Sequence, residues 1–347
     1  MNEVTALALF SGGLDSILAC RIIAAQGIRV RALKFITPFF DHQLLERELA
    51  YRNEVREKYG LEVELVDLSE GYMELLRNPA HGFGKHFNPC IDCKILMLQR
   101  ARELMADSGA SFLISGEVLG QRPMSQRRDT LRIIERDSGC DDILLRPLSA
   151  KLLKPTRPER EGLVDRDRLY GCAGRGRKLQ ISLAAEFGIT DYPSPAGGCV
   201  LTDPNLAARI ERFYNGLFQA GTADFRVSDI RLLLLGRQFR LPGDNWFVLG
   251  RNQKENRLLA GLREPGDRMF RMVDRPGPTG LFRWAEQRLA GTGQEDRLLE
   301  IAAGLVVRYG KKIDGCRPPA AVRIEGAESR IVQAAPLDDT VFRDWIV

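Results

Sequence analysis

Phe10-Ser11-Gly12-Gly13-Leu14-Asp15-Ser16 is the stretch that decides the reading of this chain. It follows Val4 to Phe10, an almost wholly apolar run that suits a strand buried on both faces of a parallel sheet. Helical spacing begins after it, at Ile17. Two adjacent glycines let the backbone turn sharply and approach a ligand, and the helix beyond offers unpaired N–H groups and the positive end of its dipole. The expectation is a cradle for phosphate. The Walker pattern is excluded because no Gly-Lys-Ser/Thr follows, and the dinucleotide fingerprint because the glycines are adjacent. The loop alone also fits a plain strand-to-helix turn, since Ser and Asp cap helices without any ligand.

Outward from this loop the pattern repeats. Ile17–Gln26 reads as a helix, Ile28–Phe35 as a strand, Gln43–Tyr59 as one long polar helix, and Leu61–Asp67 as a third strand. Phe112–Glu117 is a fourth. The alternation predicts parallel βαβ units: an α/β, Rossmann-like sheet with helices on both faces, its ligand beyond the carboxyl ends of the strands. Lys34 and Phe35 end the second strand and either border a nucleotide base there or merely finish the strand.

At 347 residues the chain is long for one core and suggests two domains. With 44% hydrophobic residues and no apolar run of spanning length, it does not read as a membrane protein. No basic leader precedes an apolar segment, so a cytoplasmic location is expected. Seven cysteines then argue for thiol or metal chemistry rather than a disulfide framework. Residues 1–208 carry 28 Lys+Arg against 28 Asp+Glu, so the net +5 lies entirely in residues 209–347, with 23 against 18.

Three of the cysteines stand in informative settings. In His81-Gly-Phe-Gly-Lys-His86-Phe-Asn-Pro-Cys90-Ile-Asp-Cys93-Lys94, the first part is a loop, and helical spacing starts at Lys94. Cys90 and Cys93 therefore fall at a helix start, where the dipole and Lys94 should lower the thiol pKa. Such a pair serves as a zinc half-site, a redox dithiol or two ligands of an iron–sulfur cluster, or simply as two packed side chains. His81 and His86 are alternative ligands by position, but read better as loop or RNA-facing residues. Tyr192-Pro-Ser-Pro-Ala-Gly-Gly-Cys199 supplies the third cysteine, with Gly197 and Gly198 before it. Cys172 reads as incidental, and Cys316 is too isolated to assign. Between these motifs, residues 146–178 carry ten Lys+Arg against four Asp+Glu. That belt is either a solvated face or a surface that neutralises phosphates.

Ser-Gly-Gly-Leu-Asp-Ser resembles the PP-loop of ATP pyrophosphatases, which cleave ATP between the α and β phosphates and pass AMP to a carbonyl oxygen. The resemblance implies that Ser11, Gly12, Gly13, Asp15 and Ser16 hold pyrophosphate, with Asp15 associated with Mg²⁺. Gly116-Glu117-Val-Leu-Gly120-Gln121 and the later Ser125-Gln126 resemble a segment of bacterial tRNA 4-thiouridine synthetases that lies over the nucleotide, which brings in Gly116 and Gln121. The intervening Arg122-Pro123-Met124 departs from that pattern. Pro-Ala-Gly-Gly-Cys-Val-Leu-Thr is similar to the third-cysteine segment of PP-loop tRNA thiolation enzymes. Cys90, Cys93 and Cys199 thus match the set that binds a [4Fe-4S] cluster in some of them. Gly250-Arg251-Asn252 with Glu255-Asn256 resembles signatures of NFACT-type RNA-binding domains. It implies that Arg237, Arg240, Arg251, Lys254 and Arg257 face phosphates, while Trp246 either stacks on a base or fills a core.

The combined expectation is a PP-loop thiolation domain over residues 1–208, a connecting helix over 209–224 and a smaller α+β RNA-binding domain over 225–347. The activity implied is ATP-dependent thiolation of a tRNA uridine. Asp15 and Cys199 are the catalytic candidates, and the sulfur donor is hydrosulfide or a cysteine desulfurase. No THUMP or rhodanese module is recognisable in these residues, so the uridine and its ring position stay open. Three alternatives are kept: persulfide chemistry at Cys199 without a cluster, a PP-loop enzyme adenylating a small-molecule carbonyl, and a non-catalytic RNA-binding sensor.

Overall fold

The computed structural model describes residues 4–194, 199–219 and 225–347. They form two compact units, Met1–Pro204 and Asn205–Val347.

In the first unit, β1 (Thr5–Leu9), β2 (Arg29–Ile36), β3 (Glu62–Asp67), β4 (Phe112–Ser115) and β5 (Leu144–Leu145) form one sheet in the order β3-β2-β1-β4-β5. All four pairings are parallel, with Thr5 opposite Arg29 and Ala6 opposite Phe112. The apolar run of β1 has its explanation here. As the central strand it is covered on both faces, and Ala6, Leu7 and Ala8 are buried. Helices α1 (Leu14–Ala24), α2 (Glu48–Tyr59), α3 (Ser69–Leu75), α4 (Cys90–Ser108) and α5 (Arg128–Ser138) join or flank the strands. Two apolar clusters result. One has Ile17, Leu18 and Phe112, the other Leu33, Leu98 and Leu113. From β1 the chain first builds outward through β2 and β3, then returns to add β4 and β5 on the other side. The direction of winding reverses between β1 and β4, which opens a crevice at their carboxyl ends.

Local boundaries differ from the sequence pattern in instructive ways. The first helix starts at Leu14, directly on the Gly13 cap, so the glycine turn is shorter than the spacing suggests. The long polar helix is two pieces. His42–Arg47 is a 3₁₀ turn, and α2 begins at Glu48 after Arg47 leaves helical geometry at φ −137°. Only Leu44 and Val55 of these pieces are buried, too thin an apolar stripe to hold one continuous helix against the sheet. The cysteine helix starts at Cys90 rather than Lys94, so both thiols belong to its first turn.

The second unit is built on an antiparallel sheet. Its strands β6 (Arg237–Leu241), β7 (Asn245–Leu249), β8 (Arg268–Met272), β9 (Gly280–Phe282), β10 (Ala320–Glu325) and β11 (Ser329–Ala334) lie in the order β11-β10-β8-β9-β7-β6. The helix Glu295–Arg308 buries Leu298, Ala302, Leu305 and Val306 in the apolar cluster that holds Phe239, Phe270 and Val322. The helix Pro204–Tyr214 packs here too, with the Phe213 ring 5.4 Å from that of Trp246. No helix among the described residues is long and apolar enough to cross a membrane.

Candidate active site

The Ser11–Ser16 turn sits at the carboxyl end of β1, where the winding reverses. Gly12 has φ +82°, a conformation that favours glycine. Within the loop, Ser16 Oγ donates to the Gly13 carbonyl at 2.8 Å, and the Gly13 N–H donates to Ser11 Oγ at 3.3 Å. The loop is therefore shaped by its own serines. No side chain caps α1; the Ser16 and Ile17 N–H groups donate to the Gly13 carbonyl at 3.0 and 3.1 Å, which leaves those of Leu14 and Asp15 to face an anion. Lys34 is buried, donates to the Ser11 carbonyl at 2.7 Å and pairs with Asp41 at 2.5 Å. It braces the loop from the neighbouring strand. Phe35 is buried in the apolar cluster with Val66 and Leu98.

Gly116, just past β4, closes the other wall. A β-carbon there would lie 2.6 Å from the Asp15 carbonyl oxygen and from the Ser16 nitrogen, so only glycine lets the two chains meet. The following loop carries Gln121 back to the turn, and its Nε2 donates to Asp15 Oδ2 at 3.0 Å. The other carboxylate oxygen of Asp15, Oδ1, is buried without a hydrogen-bond partner. A buried, unsatisfied acceptor beside free helix N–H groups fits a hydrated cation accompanying a polyphosphate. Gln126 holds the Gln121 loop in place, its side chain accepting from the Arg122 N–H at 3.0 Å. Ser125 is buried in the same turn.

The cysteines gather at the same end of the sheet. Cys90 and Cys93 open α4, and Cys199 caps a 3₁₀ turn, its Sγ accepting from the Leu201 N–H at 3.3 Å. The four residues before Cys199, among them Gly197 and Gly198, lie outside the described residues. Tyr72 of α3 stands among the thiols. Its hydroxyl reaches Cys93, and its pKa is raised by burial and then by the sulfurs of Cys93, Cys199 and Cys90. A charge on Cys90 is felt by both Cys93 and Cys199.

The expected lowering of the thiol pKa does not hold for Cys93. Burial pushes Cys93 up to about 12, and the opposing pull of Lys94 and the Tyr72 hydroxyl is the smaller effect. Cys199 rises to about 11 for the same reason, partly offset by the Leu201 N–H. Desolvation outweighs one lysine and a helix end. Buried thiols that resist ionisation alone lose their protons readily to a metal. Among the described residues no three His, Cys, Asp or Glu side chains converge on a single ion site. The three sulfurs lie within electrostatic reach of one another.

Glu117 links the two halves of the site. It follows Gly116, is buried, and lies 3.7 Å from Lys94 Nζ and 3.0 Å from Arg146 Nε. Burial alone would raise its carboxyl, but Lys94 and Arg146 hold it below the usual range. Arg146 also pairs with Glu135 of α5. Sequence reasoning missed this role for Glu117 and Arg146, and it missed Tyr72 and Asn88. Only the Asn-Pro-Cys run pointed to Asn88; nothing local marked Tyr72.

His81 is exposed and its ring is engaged by carboxylates. Its ring contacts Asp92 at 2.9 Å and Asp137 at 3.0 Å, which raises its pKa. The basic belt is likewise largely consumed. Arg146, Arg160 and Arg166 are ion-paired, and Lys151, Arg157 and Arg168 donate to carbonyls. Lys154, Arg175, Arg177 and Lys178 have no ion-pair partner among the described residues. Cys172 is buried close enough to Asp15 to feel its charge.

In the second unit, Trp246 fills the core. Its ring stacks on Phe218 at 4.8 Å and its Nε1–H donates to Gln238 Oε1 at 2.6 Å. Three of the five expected phosphate contacts are engaged within the chain. Arg237 lies over the Tyr309 ring, Arg240 pairs with Asp244, and Arg251 pairs with Glu255. Lys254 and Arg257 are exposed.

Residues 2–151 match the ThiI family model, described as a thiamine biosynthesis protein, and residues 236–346 match the NFACT protein RNA binding domain. Over 150 residues the chain is 32% identical to a tRNA sulfurtransferase of Marinobacter nauticus, covering 42% of this chain and 29% of that one. It is 27% identical over 143 residues to a probable tRNA sulfurtransferase of Thermococcus kodakarensis, covering 41% and 36%. The matches thus span about a third of these relatives. Among solved structures, a 4-thiouridine synthetase–RNA complex with bound ATP is 20% identical with a TM-score of 0.36, covering 60% of this chain and 50% of that one. A U34-tRNA thiolase of Methanococcus maripaludis with its [4Fe-4S] cluster is 15% identical with a TM-score of 0.33, covering 62% and 67%.

Proposed function

We propose that this protein is a tRNA sulfurtransferase that uses ATP to activate a uracil carbonyl and replaces its oxygen with sulfur. The observation that carries the reading is the placement of two incomplete sites at one end of one sheet. The Ser11–Ser16 turn is built for a polyphosphate and three thiols stand beyond it, joined through Gly116, Glu117 and Lys94.

ATP is substrate. Ser11, Gly12, Gly13, Ser16 and the first N–H groups of α1 would bind its β and γ phosphates, while Lys34, Phe35, Gly116 and Gln121 border the nucleotide. The free oxygen of Asp15 would hold Mg²⁺, which when bound offsets charge on the phosphates. The uracil oxygen attacks the α-phosphorus and pyrophosphate leaves. A sulfur nucleophile then adds to the ring carbon, and AMP departs with the original oxygen. Cys90, Cys93 and Cys199 would hold a [4Fe-4S] cluster, which when bound supplies an open iron position for sulfide. The alternative is a persulfide on Cys199 without a cluster. The sulfur would come from hydrosulfide or a cysteine desulfurase, and the tRNA substrate implies a cytoplasmic setting. Lys254 and Arg257 of the second unit and, separately, Lys154, Arg175 and Lys178 of the first have no ion-pair partner among the described residues and would each serve as contacts to the RNA backbone.

The test is made on protein purified without oxygen. Iron and acid-labile sulfide are measured for wild type and for Cys90→Ala, Cys93→Ala and Cys199→Ala, and thiouridine and AMP are measured after incubation with tRNA, ATP and sulfide. The expected result is about four irons and four sulfides per chain, lost in each variant together with thiouridine. AMP release that ignores tRNA would replace this reading with the small-molecule alternative.

A further inference from the structure

Asn88 is buried, with 4% of its surface exposed, in the loop just before the cysteine helix. The orientation of its amide is fixed by its neighbours. Its Oδ1 accepts from the His86 N–H at 3.0 Å, so the NH₂ group faces the other way, 3.2 Å from Cys90 Sγ and 3.8 Å from Met124 Sδ. Flipping the amide would set its oxygen against both sulfurs and leave the His86 N–H facing a donor. The Asn88 carbonyl is engaged as well, accepting from Gly84 N at 3.0 Å and Cys90 N at 3.0 Å. The side chain is therefore held in place by the loop's own backbone.

A buried amide N–H aimed at a neutral thiol is poorly satisfied, whereas a thiolate is a strong acceptor. The same preference recurs at the other two sulfurs. The Tyr72 hydroxyl reaches Cys93, its ring held 5.4 Å from Phe39 and 5.9 Å from Phe40. Cys199 receives the Leu201 N–H at 3.3 Å. Each of the three sulfurs thus has its own donor, two from side chains and one from the backbone.

We infer that Asn88 and Tyr72 are positioning residues that hydrogen-bond the cysteine sulfurs and thereby set the electron density of the metal–sulfur group those cysteines hold. The inference rests on the proposed cluster site and goes beyond it, because it assigns the polarity of the site to two side chains that bind no metal. Donors to sulfur stabilise the more electron-rich, reduced state. Removing them makes the group harder to reduce.

The experiment is a dye-mediated reduction of anaerobically reconstituted protein, followed by its visible and electron paramagnetic resonance spectra. Iron content is measured first on each sample. Asn88→Ala and Tyr72→Phe are expected to keep their iron and to shift the midpoint potential to more negative values, with the double variant shifting further. Met124→Leu, which keeps a side chain against the same amide and takes no donor from Cys90, is expected to match wild type. Unchanged potentials in iron-replete Asn88→Ala and Tyr72→Phe would overturn the assignment while leaving the cluster site standing. A wild-type protein that takes up no iron would overturn the cluster site, and this assignment with it.

Discussion

In the first unit, the turn Ser11–Ser16 spends its serines on its own backbone and leaves one Asp15 oxygen without a partner and α1 without a side-chain cap. The turn Gly250-Arg251-Asn252 of the second unit closes on itself. Arg251 pairs with Glu255 at 2.6 Å, Asn252 Oδ1 accepts from the Glu255 N–H at 3.0 Å, and Asn256 Oδ1 accepts from the Thr279 N–H at 3.0 Å. Both turns join a strand to a helix start and both combine glycine with polar and charged side chains. They differ in what is left over. Residual hydrogen-bonding capacity distinguishes a turn made for a ligand from one made for its own fold.

The sharpest way to break this contrast is Gly116→Ala. A methyl group 2.6 Å from the backbone of Asp15 and Ser16 must push β4 away from the loop, since neither contact is a movable side chain. Misplacing a reacting group by about 1 Å costs on the order of 100-fold. Pyrophosphate release should fall by at least that factor while the melting of the second unit is unchanged. Equal activity would mean that the open groups at the turn are not a working site.

Asn252→Ala tests the closed turn. Loss of an N-cap should cost about 1 kcal/mol, seen as earlier denaturant unfolding of the second unit, with pyrophosphate release intact. If the motif serves its own fold, the salt dependence of RNA binding will not change in Asn252→Ala, whereas Lys254→Ala and Arg257→Ala should each lower its slope by about one.

The smallest effect concerns His81, where the first unit is itself closed. Its pKa is raised by Asp92 and Asp137, so its contribution is complete below 6.5, the value of the free side chain, and is lost as pH rises through the raised value. The stability difference between wild type and His81→Ala should be largest near pH 6 and should shrink toward alkaline pH. A difference that grows with pH would mean that His81 is held neutral.

What the sequence revealed and what it concealed follow the same division. The glycine turn, the parallel sheet and the helix-start cysteines were legible because each depends on neighbours along the chain. The pairing of His81 and the consumption of the basic belt were not, because Asp137, Asp142 and the Ser111 carbonyl come from distant segments. The thiol pKa values failed for a related reason. The helix end and Lys94 are visible in sequence, but the burial of Cys93 beneath Tyr72 is a property of the packed molecule.

Glu117 lies between Lys94, one residue past Cys93, and Arg146 beyond the edge strand β5, and Arg146 is tied in turn to Glu135. These four side chains work as a clasp. The cysteine helix cannot slide along the sheet without stripping a buried carboxylate of a partner, so the span between the cysteines and Gly116 at the Ser11–Ser16 turn is fixed when β5 docks. A designer who grafts the three cysteines onto another scaffold of this kind would therefore have to move Glu117 and Arg146 with them.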